Sequence, residues 1–309
     1  MIHQNKPARR RLSQHAAKLL GGASLMLLAG TAFAQGTSQN AQTDTVDDNG
    51  GVFERALKYA HDNTYYRVGV LHLSYEGDSS SLRIDNANGL AAQPFGVGSS
   101  KLEGTGSSVG DKTTLGGTIG MYIPKTGRHL AAEVTLAPPL KLDFEVSGRA
   151  IDESIAPETQ SGIPTGVPAL GRKIGTLKAL PPNLTIIYRP WVDTMFQPYI
   201  GAGAMYLYTF DTDVTNEVLN AYGNEPTLNL TKPVACVGQV GMDVNLSEKL
   251  FVTADVKYVG CAEVEATVNN VVVNAPALSP TVGPVNVGSV SSTNDFKAVL
   301  YQVSMGFRF

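Results

Sequence analysis

The chain is poor in several things that would point to a soluble enzyme or a nucleic-acid binder. Its 309 residues hold two cysteines, Cys236 and Cys261, and one tryptophan, Trp191. Two cysteines fall short of the four ligands of a structural zinc site, so no metal is read. Only 17% of residues are charged, the formal net charge is −3, and no basic block occurs. Nucleic acid is therefore excluded as an expected partner. After residue 34 no apolar run approaches the roughly 18 residues of a membrane helix. Past the same point the histidines are His61, His72 and His129. They are too scattered to build a Ser/His/Asp set on one rim, and the chain is read as no enzyme. His129 near Glu133 reads as a rim pair. "GTGSSVG" (104–110) lacks the lysine and the following helix of a phosphate-binding loop, so no cofactor is read.

What is present starts with a leader. Lys6, Arg9, Arg10, Arg11 and Lys18 flank or precede "LLGGASLMLLAG", and "TAFA" stands before Gln35. Basic, apolar and small-x-small regions in that order predict a secretory signal peptide over 1–34, cleaved on export. Residues 35–64 are polar and read as a flexible periplasmic lead-in, with a short helix within "VFERALKYAHD" as a weaker feature. In an oxidising compartment the two cysteines are disulfide candidates. A turn centred near Glu248 sets Cys236 opposite Gly260 and leaves Cys261 on the other face, so a bond needs a bulge, for which Gly260 is permissive.

The rest is all-β. Glycine is abundant (32 residues), and the apolar 43% is cut into strand-sized pieces. Eight candidate strands fall near 65–75, 113–123, 129–137, 180–190, 197–210, 233–246, 249–261 and 296–309. Their connections alternate between tight turns ("PKTGR", "WVDTMF", "SE") and long segments at 76–112, 138–179, 211–232 and 262–295. That asymmetry and the even strand number predict an eight-stranded antiparallel up-and-down transmembrane β-barrel over 65–309, with short periplasmic turns and long extracellular loops. Within the strands, Leu115, Gly117, Ile119 and Met121 alternate with Thr114, Gly116, Thr118 and Gly120. An open sheet edge in lipid leaves backbone groups unsatisfied, so such strands must close on themselves. Tyr65, Tyr66, Tyr122, Tyr188, Trp191, Phe196, Tyr199, Phe307 and Phe309 suit an interfacial girdle. Residues 264–290 are apolar for a loop and read equally as an extension of the seventh strand, a lid or a tether. The segment at 104–110 reads as a flexible extracellular loop.

"LAAEVTLAPPLKLDF", "LPPNLTIIYRPW", "FQPYIGAGAMYLYTF", "GQVGMDVNLSEKLFVTADVKYV" and the terminal "GFRF" resemble the OmpW family of small outer-membrane proteins, which includes alkane-import relatives. The resemblance implies a narrow, apolar barrel interior in the Gram-negative outer membrane that passes small hydrophobic molecules. It also implies that Phe309 belongs to the signal read by the barrel-insertion machinery. Loops 76–112 and 262–295 are longer than the family pattern, and the lead-in is extra.

An arginine facing lipid at mid-depth costs about 2–4 kcal/mol, so Arg67, Arg189 and Arg308 are expected inside. With Asp243 and Asp255 they would form a periplasmic charge plug, Lys257, Gln239 and Gln302 lying close by. Leu71, Leu73, Met205, Leu207, Val237, Val259 and Leu300 would line an apolar funnel in the outer half. Pro138, Pro139, Pro181 and Pro182 cannot donate to a ladder. They read either as a lateral seam for release into the bilayer or simply as strand ends at the second loop; the family's proposed lateral opening lies beside the first pair. The function expected is passive uptake of small hydrophobic solutes from a surface of lipid and lipopolysaccharide. The alternatives are a structural or receptor/adhesion barrel using its long loops, or a narrow general porin.

Overall fold

The computed structural model describes residues 58–85, 100–159 and 161–309. The signal peptide and residues 35–57 of the lead-in lie outside the described residues. The chain divides after His61 into two units. Residues 58–61 of the first unit are helical; everything below concerns the second, Asp62–Phe309.

Its strands, in chain order, are β1 (Thr64–Tyr75), β2 (Leu82–Asp85), β3 (Ser100–Leu102), β4 (Thr105–Val109), β5 (Lys112–Tyr122), β6 (Leu130–Leu136), β7 (Leu140–Gly148) and β8 (Lys173–Leu180). They continue with β9 (Asn183–Tyr188), β10 (Phe196–Tyr206), β11 (Tyr208–Val214), β12 (Thr227–Leu230), β13 (Val234–Asn245), β14 (Leu250–Val273) and β15 (Val285–Arg308). Antiparallel ladders join β1, β5, β6, β9, β10, β13, β14 and β15 in that order, and β15 pairs with both β14 and β1. These are the eight strands expected from the sequence, and they build the barrel.

Side-chain alternation explains why they fold this way. On β15 Tyr301, Val303, Met305 and Phe307 are exposed, while Leu300, Gln302, Ser304 and Arg308 are buried. The same period of two runs through β13, where Val240 and Met242 face out and Gln239 and Asp243 face in. An unbroken apolar exterior over a mixed interior is stable in hydrocarbon and unstable in water.

The long connections are themselves built largely of strands. Segments read as connections carry β2, β3, β4, β7, β8, β11 and β12. The stretch 104–110 is not a flexible loop, because β4 pairs with β7 from Thr105↔Gly148 to Val109↔Phe144. Four of these strands form a second sheet in the order β11-β8-β7-β4. The stretch 264–290 is mainly strand: β14 and β15 stay paired up to Val273↔Val285. Strand 197–210 is broken at Leu207, its upper part joining the second sheet as β11. These additions cap the extracellular end, and their inward residues (Leu142, Phe144, Val146, Ile174, Val268, Val287) continue the apolar core of the barrel's outer half.

Candidate functional site

The periplasmic half is organised by rings seated on glycines. Tyr65 pairs across strands with Gly120, Tyr199 with Gly241 and Phe251 with Gly306. A β-carbon on those glycines would come within 2.1, 2.5 and 2.2 Å of the respective rings. The missing side chains let the rings lie flat along the inner wall. Tyr65, Tyr122 and Tyr199 are thus buried with Phe251, which corrects their assignment to the girdle. Tyr66, Tyr188, Trp191, Phe196, Phe307 and Phe309 are exposed as expected of an outer belt.

Above the rings lies a buried polar layer. Arg67 and Arg189 are each 1% exposed, and Glu133 and Asp243 are fully buried. Arg67 meets Glu133 at 2.5 Å and donates to the Tyr199 hydroxyl at 2.9 Å. Arg189 donates to Asp243 at 3.0 Å and to the Tyr65 hydroxyl at 3.2 Å. Tyr65 donates to Glu133, and Tyr199 to Asp255 at 3.2 Å. Lys257 bridges Asp255 (2.5 Å) and Gln302 (3.1 Å). Arg308 lies lower, donating to Tyr122 at 3.1 Å and standing 3.5 Å from Asp243. Charges taken out of water are tolerable only when paired and hydrogen-bonded in this way. All five charged residues picked from the sequence meet here. Glu133 was misplaced: it is the central carboxylate, while His129 bonds the Arg189 carbonyl at 2.6 Å. The signal that would have found it is the inward parity of β6, in which Ala131, Glu133 and Thr135 share the buried face.

Over this floor sits an apolar cavity of about 90 Å³. Leu71, Leu73, Met205, Leu207 and Leu300 line it from the barrel, and Leu140, Leu142, Phe144 and Leu177 from the cap. It is smaller than the ~150 Å³ apolar cavity that holds benzene in a model protein. Val237 and Val259 are buried in the same apolar cluster without lining the cavity.

The wall beside the cavity is interrupted. The β5–β6 ladder stops at Gly117↔Leu136, and pairing resumes at Val109↔Phe144 between β4 and β7. Between them one backbone bond, Gly110 N–H to the Asp143 carbonyl at 3.3 Å, spans the two chains. Pro138 and Pro139 lie in this breach, both exposed, and cavity-lining Leu136, Ala137 and Leu140 flank them. Pro181 and Pro182 face them across a second, shorter gap between Thr135↔Asn183 and Leu140↔Ala179. That side is held from beyond, since Tyr206 N–H reaches the Pro182 carbonyl at 3.0 Å and Tyr208 pairs with Leu180. The prolines do sit together, and the wider gap is on the β5 side.

A ring of eight strands with this inward floor and outward apolar wall has known counterparts. Residues 96–309 match the OmpW family. The chain belongs to the OmpW family. It is therefore a protein of the Gram-negative outer membrane, in a family of non-enzymatic barrels. The crystal structure of the outer-membrane protein OprG from Pseudomonas aeruginosa superposes with a TM-score of 0.58 at 22% identity, covering 81% of this chain and 98% of that one. The outer-membrane protein AlkL in lipid bilayers gives 0.46 at 15% identity, with 88% and 97% covered. Outer Membrane Protein W from E. coli gives 0.43 at 20%, with 80% and 98% covered. No curated protein matches the chain by sequence. The two segments longer than the family pattern, 76–112 and 262–295, hold β2, β3 and β4 and the upper part of the β14–β15 hairpin.

Proposed function

We propose that this OmpW-family barrel is a passive, non-enzymatic channel for small hydrophobic molecules. A solute leaves the lipopolysaccharide surface, enters the apolar cavity and departs sideways into the bilayer through the breach at Pro138 and Pro139. The observation that carries this is the meeting of three features around one cavity. The cavity is apolar, the wall beside it lacks ladder bonds, and the floor beneath it is filled by paired charges. An apolar solute gains nothing by crossing that floor, because it would have to break buried ion pairs. The lipid beside the breach is the lower-energy exit. Arg67, Arg189, Asp243, Asp255 and Arg308 act as the plug, and Leu71, Leu73, Met205, Leu207 and Leu300 as the receiving surface. Phe309, whose ring packs edge-on to Tyr66 and Phe307, takes the part of the assembly signal that the family implies.

The test is uptake by proteoliposomes of an alkane-like solute beside a polar sugar. Accelerated entry of the alkane alone is the expected result. Sugar flux would make the protein an ordinary porin, and acceleration of neither would leave a structural or receptor role.

A further inference from the structure

The two cysteines are placed as no simple strand alternation would place them. Cys236 on β13 pairs directly with Gly260 on β14. Strict alternation would then send the next residue, Cys261, to the inner face. Instead β14 carries an extra residue between Val259↔Ala298 and Ala262↔Phe296, and Cys261 adopts a left-handed backbone with φ 59°. Gly260 takes the buried side and Cys261 turns outward. Both cysteines stand on the outer face as exposed thiols, on neighbouring strands, with Cys261 directly after the cross-strand partner of Cys236. A cysteine in the left-handed region is uncommon, since a side chain there crowds the backbone and glycine is the usual occupant.

The surroundings give this pair a purpose. Just above it β13 loses its grip on β14: Cys236↔Gly260 is the last rung, and contact resumes at Thr231, whose N–H donates to the Glu265 carbonyl at 3.0 Å and whose hydroxyl accepts from Glu265 N–H at 2.9 Å, next to the rung Leu230↔Ala266 of β12. Pro233 lies in the interval and has no N–H to offer a ladder. Above that joint β14 and β15 rise together as a long hairpin. The wall therefore has a further weak line, on the flank away from the prolines at β6. The two thiols lie at its lower edge.

We propose that Cys236 and Cys261 form a disulfide that staples β14 to β13 at this joint. They are the only cysteines in the chain, so no intramolecular pairing competes. An exported chain meets an oxidising compartment before it reaches the outer membrane. The exchange balances with an exported protein disulfide as oxidant. One cysteine thiolate attacks that disulfide and releases the first of its thiols; the second cysteine thiolate attacks the mixed disulfide and releases the other. One S–S bond forms, one breaks, and the two protons leave with the oxidant's thiols. The bulge is what makes the bond attainable, and the bond in turn fixes the bulge.

The test uses the full protein extracted from its own outer membranes. It is unfolded in detergent with a bulky maleimide present, before and after reduction. The expected result is no labelling without reductant, two labels after it, and an intact mass two hydrogens lighter than the reduced chain. Two labels without reductant would overturn the proposal. The Cys236→Ser variant provides the second reading: one label with or without reductant is expected, whereas a lone Cys261 that labels only after reduction would show that its partner lies outside the chain and would also overturn it. Hydrogen exchange then checks the staple. Reduction should speed exchange in 262–273 and 285–296 and leave the β1–β15 ladder unchanged; equal rates before and after would overturn the clamping role. None of these readouts depends on solute uptake.

Discussion

Arg67 and Glu133 meet at 2.5 Å in the middle of the barrel with both side chains shut off from solvent. They sit on β1 and β6, strands that do not pair with each other, so the contact crosses the lumen behind β5. Removing Glu133 strands a buried guanidinium, and Glu133→Ala is expected to cost about 3 kcal/mol, the lower end for a broken buried pair. The lower end applies because Asp243 and Asp255 remain 3.8 and 3.9 Å from Arg67. The double replacement Arg67→Met with Glu133→Leu should cost less than Glu133→Ala alone. Denaturation midpoints of the native protein and the two variants in micelles measure this; a double variant worse than the single one would contradict it.

Restoring the missing rungs should close the breach. Pro138→Val with Pro139→Val returns two N–H donors beside the unpaired edge of β5 and adds residues suited to strands. Alkane entry into proteoliposomes is expected to fall toward that of empty vesicles while the fold persists. Unchanged or faster entry would count against lateral release.

Phe144 lines the cavity and also a smaller void above it, toward Ile155 and Leu170. Phe144→Ala should join the two spaces at a stability cost of about 3–5 kcal/mol. Bulkier apolar solutes are expected to gain more in uptake rate than small ones. Competition between short and branched alkanes reads this directly.

A β-carbon at Gly241 would push Tyr199 away from Asp255 and Arg67. Gly241→Ala is expected to lose about 1–3 kcal/mol, as overpacked sites do. Gly238 on the same strand has nothing within 4 Å of an added β-carbon, so Gly238→Ala should be close to neutral. Midpoints of heat-induced mobility shift compare the pair.

Some of what the structure added had been legible. Leu140, Leu142, Phe144 and Val146 alternate with Lys141, Asp143, Glu145 and Ser147, a clear period of two inside a segment read as loop. Its neighbour β8 alternates over its second half, with Leu177 and Ala179 inward. Reading every membrane-sized strand as the whole of the sheet hid them, because the cap needs water-facing strands that have no reason to match membrane length. The Cys261 bulge was foreseen only as a condition. Its occurrence rests on where β15 places Ala298 and Phe296, which β14 alone does not reveal.

The order of apolar and polar residues along each crossing strand decided by itself which side chains face lipid and which face inward. That follows from backbone geometry, since neighbours on a strand must point to opposite sides. Together with the cost of a guanidinium in lipid, it puts Arg67, Arg189 and Arg308 inside. Which buried charge meets which was decided only by the assembled ring, because opposite walls are brought into line by the stagger of eight strands together. Glu133 became the partner of Arg67, and the gap at Pro138 came to open beside an apolar cavity, through that shared register.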